Sequence, residues 1–94
     1  MNEPFSPGDN YKTYCFAMIP LEEHRKQLAA RIQASVRAFY GEHHQMPAAV
    51  IVSPRLVPEA TKALVMLGLH MPIVGRGDCL TNEIWLEKPD KAES

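Results

Sequence analysis

Residues 48–54, Ala-Ala-Val-Ile-Val-Ser-Pro, constrain this chain more than any other stretch. An unbroken apolar run closed by Ser-Pro reads as a strand buried on both faces, because neither set of alternating side chains is suited to water. A helix-period segment precedes this run and another follows it. That is the pattern of βαβ units on a mainly parallel sheet.

The preceding half begins with residues 11–19, where Tyr14, Phe16 and Met18 alternate with Tyr11, Cys15, Ala17 and Ile19. Both sets are largely apolar, which suits a first strand covered on both sides. Pro20 ends it and fits the first position of a helix over 20–40, with Glu22 and Glu23 at its positive end. Leu21, Leu28, Ile32, Val36 and Phe39 form the buried stripe, and Gly41 is the expected stop.

After the central run, residues 53–56 make a turn and a second helix spans 58–67, since Pro58 is tolerated at a helix start but not inside it. Ala60, Ala63, Leu64 and Leu67 face the sheet, and Gly68 followed by Leu69 forms a left-handed cap. Val65 and Met66 fall outside the stripe. A short third strand over 71–74 and a fourth over 82–87 complete the chain. In the fourth, Ile84 and Leu86 alternate with Glu83, Trp85 and Glu87, the mark of a half-buried edge strand.

The expected fold is therefore a small α/β domain, βαβαββ, with a mostly parallel four-stranded sheet in the order 2-1-3-4 and the fourth strand antiparallel. Right-handed crossovers then put the helices on opposite faces, as in half of a Rossmann-like doubly wound sheet, and cover the first strand twice. The competing order 1-2-3-4 puts both helices on one face.

Ninety-four residues make one domain. Residues 1–10 read as a loose arm, 11–88 as the domain and 89–94 as a polar tail. The formal net charge of −1, with both signs interspersed, gives no basic stripe for nucleic acid. No apolar run approaches the roughly 20 residues of a membrane span, and the first residues lack the basic and apolar regions of a secretory leader. Cys15 sits in a strand and Cys79 in a polar loop, so a reducing cytoplasm is the simpler setting. That contrast also predicts a reactive Cys79 and a shielded Cys15.

The polar residues collect at the carboxyl ends of the parallel strands, where open α/β sheets bind ligands: His24, Ser53, Arg55, Arg76, Asp78 and Cys79. Two helix amino ends and two arginines there suit a phosphate or carboxylate, but no glycine-rich phosphate loop accompanies them. Cys79, Asp78 and His24 could be assembled into a nucleophile and base, although an aspartate beside a cysteine raises the thiol pKa. His24 shares a helical face with Leu21 and Leu28, which favours a packed histidine. His43, His44 and His70 lack the spacing of a metal site, and no metal or cofactor is expected. These features favour a non-catalytic interaction module that forms a homodimer through Trp85, Val65 and Met66. The rival is an anion-binding or enzymatic domain built on the strand carboxyl ends.

Overall fold

All four residues of the central run's strand are buried, and the rest of the sheet forms around it. The structure, a computed structural model, describes residues 11–89, so the expected arm over 1–10 and tail residues 90–94 lie outside the described residues. The elements are β1 (Tyr11–Cys15), α1 (Leu21–His43), β2 (Ala49–Val52), a 3-10 turn (Pro54–Leu56), α2 (Val57–Leu67), β3 (Ile73–Gly75) and β4 (Glu83–Glu87).

The strand order is β1-β4-β2-β3, which overturns the expected 2-1-3-4. β2 and β3 are parallel, and β4 is antiparallel to both β1 and β2, so the sheet is mixed rather than mostly parallel. The β1–α1–β2 crossover leaves a gap one strand wide. β4 fills that gap and gains a ladder on each side, where an edge strand would have one. Both crossovers step in the same direction across the sheet, so a common hand places both helices on one face. Opposite faces would have required a reversal between them.

The helix face carries the main core. Leu28, Ile32, Val36 and Phe39 of α1, with Leu56, Ala60, Ala63 and Leu64, pack on Val50 and Val52 of β2 and on Ile84 and Leu86 of β4. Each of the Leu, Ile, Val and Phe side chains contributes about 1.5–3 kcal/mol when fully buried, which makes this layer the source of most of the cohesion. The other face holds a smaller cluster of Ala49, Ile51, Cys79 and Trp85, with Tyr11 against it. Trp85 is therefore not on an edge strand. It is 5% exposed in a central one, its ring centroid 5.8 Å from that of Tyr11.

Several element ends differ from the sequence expectation for identifiable reasons. β1 stops at Cys15: Phe16 N–H still bonds Asn82 O at 2.8 Å, and the chain then leaves the sheet toward α1. α1 runs through Gly41 to His43, and the left-handed residue that caps it is His44 (φ 57°), whose N–H bonds Tyr40 O at 2.7 Å. Gly41 is thus an interior helical glycine, costing about 0.5–1 kcal/mol relative to alanine.

α2 begins at Val57, one residue before Pro58, because the 3-10 turn feeds straight into it. Its end matches the sequence reading: Gly68 (φ 72°) bonds Val65 O, and Leu69 N–H returns to Leu64 O at 2.9 Å, a Schellman cap. Gly75 closes β3. A Cβ there would stand 2.8 Å from Val57 Cγ2 and 3.2 Å from Pro54 Cα, so glycine is what lets β3 run against the turn.

Candidate functional site

The parallel strands do direct His24, Ser53 and Arg76 to one edge of the sheet, yet the side chains diverge. His24, on the first turn of α1, is 1% exposed within the helix layer. Its Nδ1 lies 2.7 Å from Arg31 Nη1, and its Nε2 lies 3.2 Å from Ile19 N. Arg31 also donates to Ala17 O at 3.3 Å and sits 4.9 Å over the Phe16 ring. Arg31 thus clasps the segment between β1 and α1 onto the helix. Burial, and next the Arg31 charge, push the imidazole pKa below its ordinary 6.5, which keeps the ring neutral.

Ser53 is buried, and its Oγ accepts from Arg55 N at 3.4 Å, so it shapes the turn that starts the 3-10 segment. The Arg55 side chain is exposed. Arg76 lies on the other side of the sheet, 5.5 Å over the Trp85 ring and 5.9 Å over that of Tyr11. Asp78 engages it through two contacts of 3.1 Å. The two arginines expected to share an anion are therefore occupied differently: one is solvated, the other is paired and stacked.

The cysteines reverse their expected environments. Cys79 is 2% exposed, its Sγ turned toward the carbonyls of Glu83 (3.5 Å), Leu80 (3.7 Å) and Ile51 (3.8 Å). Burial, followed by Glu83 and Asp78, pushes its thiol up to about 12, so it remains protonated and inert at neutral pH. Cys15 is the exposed thiol, 3.8 Å from Glu83 Oε2, and slight desolvation by neighbouring atoms and then the Glu83 charge raise its pKa. The inferred trio of Cys79, Asp78 and His24 does not converge, because the cysteine lies on the open face and the histidine within the helix layer.

At the opposite edge, Glu42 is 3.6 Å from Lys12 Nζ and 3.7 Å from His43 Nε2, tying the end of α1 to β1. Burial and then the Glu42 charge raise the pKa of the neighbouring Tyr14 hydroxyl. Among the described residues there is no group of three or more His, Cys, Asp or Glu side chains arranged to hold a metal ion.

Concave surface is found on the helix layer. Gln33, Val36, Arg37, Tyr40 and Gly41 recur along one face of α1 and form one wall of a groove of about 420 Å³, facing Met46, Leu67 and Leu69. Beyond Leu69, a second groove of about 500 Å³ runs between α2 and β3 and includes Val65, His70 and Ile73. None of the six residues expected at the strand edge lines either groove. Val65 is 76% and Met66 73% exposed, adjacent on the outer side of α2.

The sequence reading missed Arg31, Arg37, Tyr40 and Met46. Arg37 and Tyr40 each follow a core residue, Val36 and Phe39, by one position, so the available signal was a second stripe beside the buried one. The fold and site define a class, a two-layer α/β sandwich with one helix-covered face and an apolar-grooved helix surface. The chain matches no protein-family model, no curated protein and no solved structure. Among the described residues no helix is long and apolar enough to cross a membrane.

Proposed function

We propose that this protein is a small non-catalytic interaction module that associates with a second copy of itself through the outer side of α2. The observation that carries this reading is the adjacent exposure of Val65 and Met66 on a helix whose other side is in the core. Apolar side chains grouped beside grooves, rather than scattered singly, mark contact surfaces. A twofold axis beside α2 sets the patch against its own copy and closes the assembly at a dimer.

The interface expected from sequence also included Trp85, which is buried within its own chain and has little surface to contribute. A contact built on Val65 and Met66 is independent of it. The two free thiols support a reducing, cytoplasmic setting. The rival anion-binding reading gains no comparable support, because the Arg55 side chain is exposed whereas Arg76 is paired with Asp78 and stacked over Trp85.

Sedimentation equilibrium across the micromolar range tests the proposal. A dimer is expected, and Val65→Glu combined with Met66→Lys should weaken it by about 2 kcal/mol or more, the effect of losing interface anchors. A wild-type monomer throughout, or a dimer indifferent to both substitutions, would remove this reading.

A further inference from the structure

We propose that the free edge of β3 pairs antiparallel with β3 of a second copy, joining the two sheets into one across a twofold axis at Val74. This inference rests on the reading of the protein as a self-associating module and names how the two copies join.

β3 is the outermost strand of the four-stranded sheet, and its ladder to β2 uses one side of it. Val50 N–H bonds Pro72 O at 2.9 Å, and Arg76 N–H bonds Val52 O at 3.1 Å. In a parallel ladder of this register the backbone groups of Val74 are also directed at β2, and those of Ile73 and Gly75 point outward. Outward residues on either side of an inward one form a set that complements itself. Turned about an axis at Val74, Ile73 of one copy meets Gly75 of the other as a hydrogen-bonded pair. The two Val74 residues then meet as the non-hydrogen-bonded pair between them. A contact of this kind is isologous and closes at a dimer.

Apolar surface lies on both sides of this edge. On the open face Val74, which is in register with Ile51, is 41% exposed. On the helix face a groove of about 500 Å³ is lined by Leu64, Val65 and Ile73, among others, and by no Asp, Glu, Lys or Arg. An added strand sends alternate side chains to opposite faces, so it covers Val65 on one side and Val74 on the other. A helix laid in the groove would leave Val74 bare.

Charge separates this edge from the one at β1. β1 carries Lys12, tied to Glu42 at 3.6 Å, and a charged side chain on an edge strand opposes pairing with another chain. β3 is Ile-Val-Gly. The charges of α2 lie toward α1, where Glu59 meets Arg25 at 3.7 Å and Lys62 lines the same cleft. Arg76, next after β3, is held by Asp78 and stacked over Trp85. A twofold axis at Val74 therefore brings no like charges of β3 face to face.

Cross-linking, charge reversal and hydrogen exchange on the full-length chain test the pairing. Residues opposed at a non-hydrogen-bonded position have Cα atoms about 4.5 Å apart, within reach of a disulfide. Val74→Cys, made together with Cys15→Ser, should form a covalent dimer with oxidised glutathione, which accepts the electrons and leaves as the reduced thiol. Lys62→Cys in the same background should stay monomeric. Val74→Lys and Val74→Glu should each weaken association about fivefold or more, and mixing the two variants should restore it. In the unaltered protein, the amides of Ile73 and Gly75 should exchange more slowly as concentration rises through the dimerisation range.

A wild-type dimer in which residue 74 neither cross-links nor responds to charge overturns this inference and leaves the α2 reading standing. A wild-type monomer at every concentration removes both. Cross-linking through Lys62→Cys as readily as through Val74→Cys also counts against the pairing. If the Ile73 and Gly75 amides are protected in the monomer, the edge is covered within the chain and the proposal fails in that case too.

Discussion

The Arg31 guanidinium meets the buried His24 ring at 2.7 Å, while the Ile19 N–H approaches the ring's other nitrogen at 3.2 Å. Arginine can only donate, and a neutral imidazole has one nitrogen free to accept. Ile19 N–H and the Arg31 guanidinium are both donors, so both ring nitrogens face donors while a neutral ring can accept at only one of them. A ring carrying both protons would direct one of them at Arg31.

Acid should therefore weaken the fold through His24. Its folded pKa lies below the ordinary 6.5, so between the two values the unfolded chain takes up a proton that the folded chain refuses. The stabilisation is complete above about pH 6.5 and is lost as pH falls through the lowered value. Urea unfolding from pH 8 to pH 5 should show a decline that His24→Gln flattens. Identical pH profiles for the two proteins would contradict the clasp.

Thiol labelling should discriminate the cysteines in the reverse of the order expected from sequence. Cys15 is exposed and should react with a maleimide in the native state, slowed by Glu83, while Cys79 should react only on unfolding. The same burial predicts an alkaline effect. The folded Cys79 pKa of about 12 exceeds the ordinary 9, so stability should fall as pH rises above about 9. Mass spectrometry of partly labelled protein locates the modified residue, and modification of Cys79 under native conditions would be incompatible with this packing.

Trp85→Ala should act on folding. The ring fills the open-face cluster between Tyr11, Ile51 and Arg76, and its Nε1 donates to Glu83 Oε1 at 3.2 Å. Removing a buried aromatic of this size costs about 3–5 kcal/mol. A loss under about 1 kcal/mol by urea unfolding would mean that Trp85 does not hold the open face together.

Two glycines should respond oppositely to alanine. Gly41→Ala adds a methyl group into open space within a helix and should stabilise by about 0.5–1 kcal/mol. Gly75→Ala forces Val57 and the Pro54 backbone to move and should destabilise by about 1–3 kcal/mol. Thermal melts of the two variants decide it, and equal shifts in one direction would refute the distinction.

Local periodicity was enough to locate both helices, the buried β2 and the Gly68 cap, because those features depend on neighbours within a few residues. The packed position of His24 was legible in the same way, from its alignment with Leu21 and Leu28. Val65 and Met66 likewise stood out as residues that the second helix could not place in its core.

Strand order lay beyond such reasoning. The alternation of Ile84 and Leu86 with Trp85 is the same whether β4 sits at an edge or in the middle, and only its insertion between β1 and β2 buries both sets. Once β4 is central, the connection from β3 folds across the open face, carrying Arg76 onto Trp85 and Cys79 under cover. Cys15, on what becomes an edge strand, is left exposed. Sequence thus determined which segments form strands and helices, while the tertiary structure decided which faces are covered. Coverage depends on which distant segments pair, and a pattern confined to one strand carries no information about its neighbours.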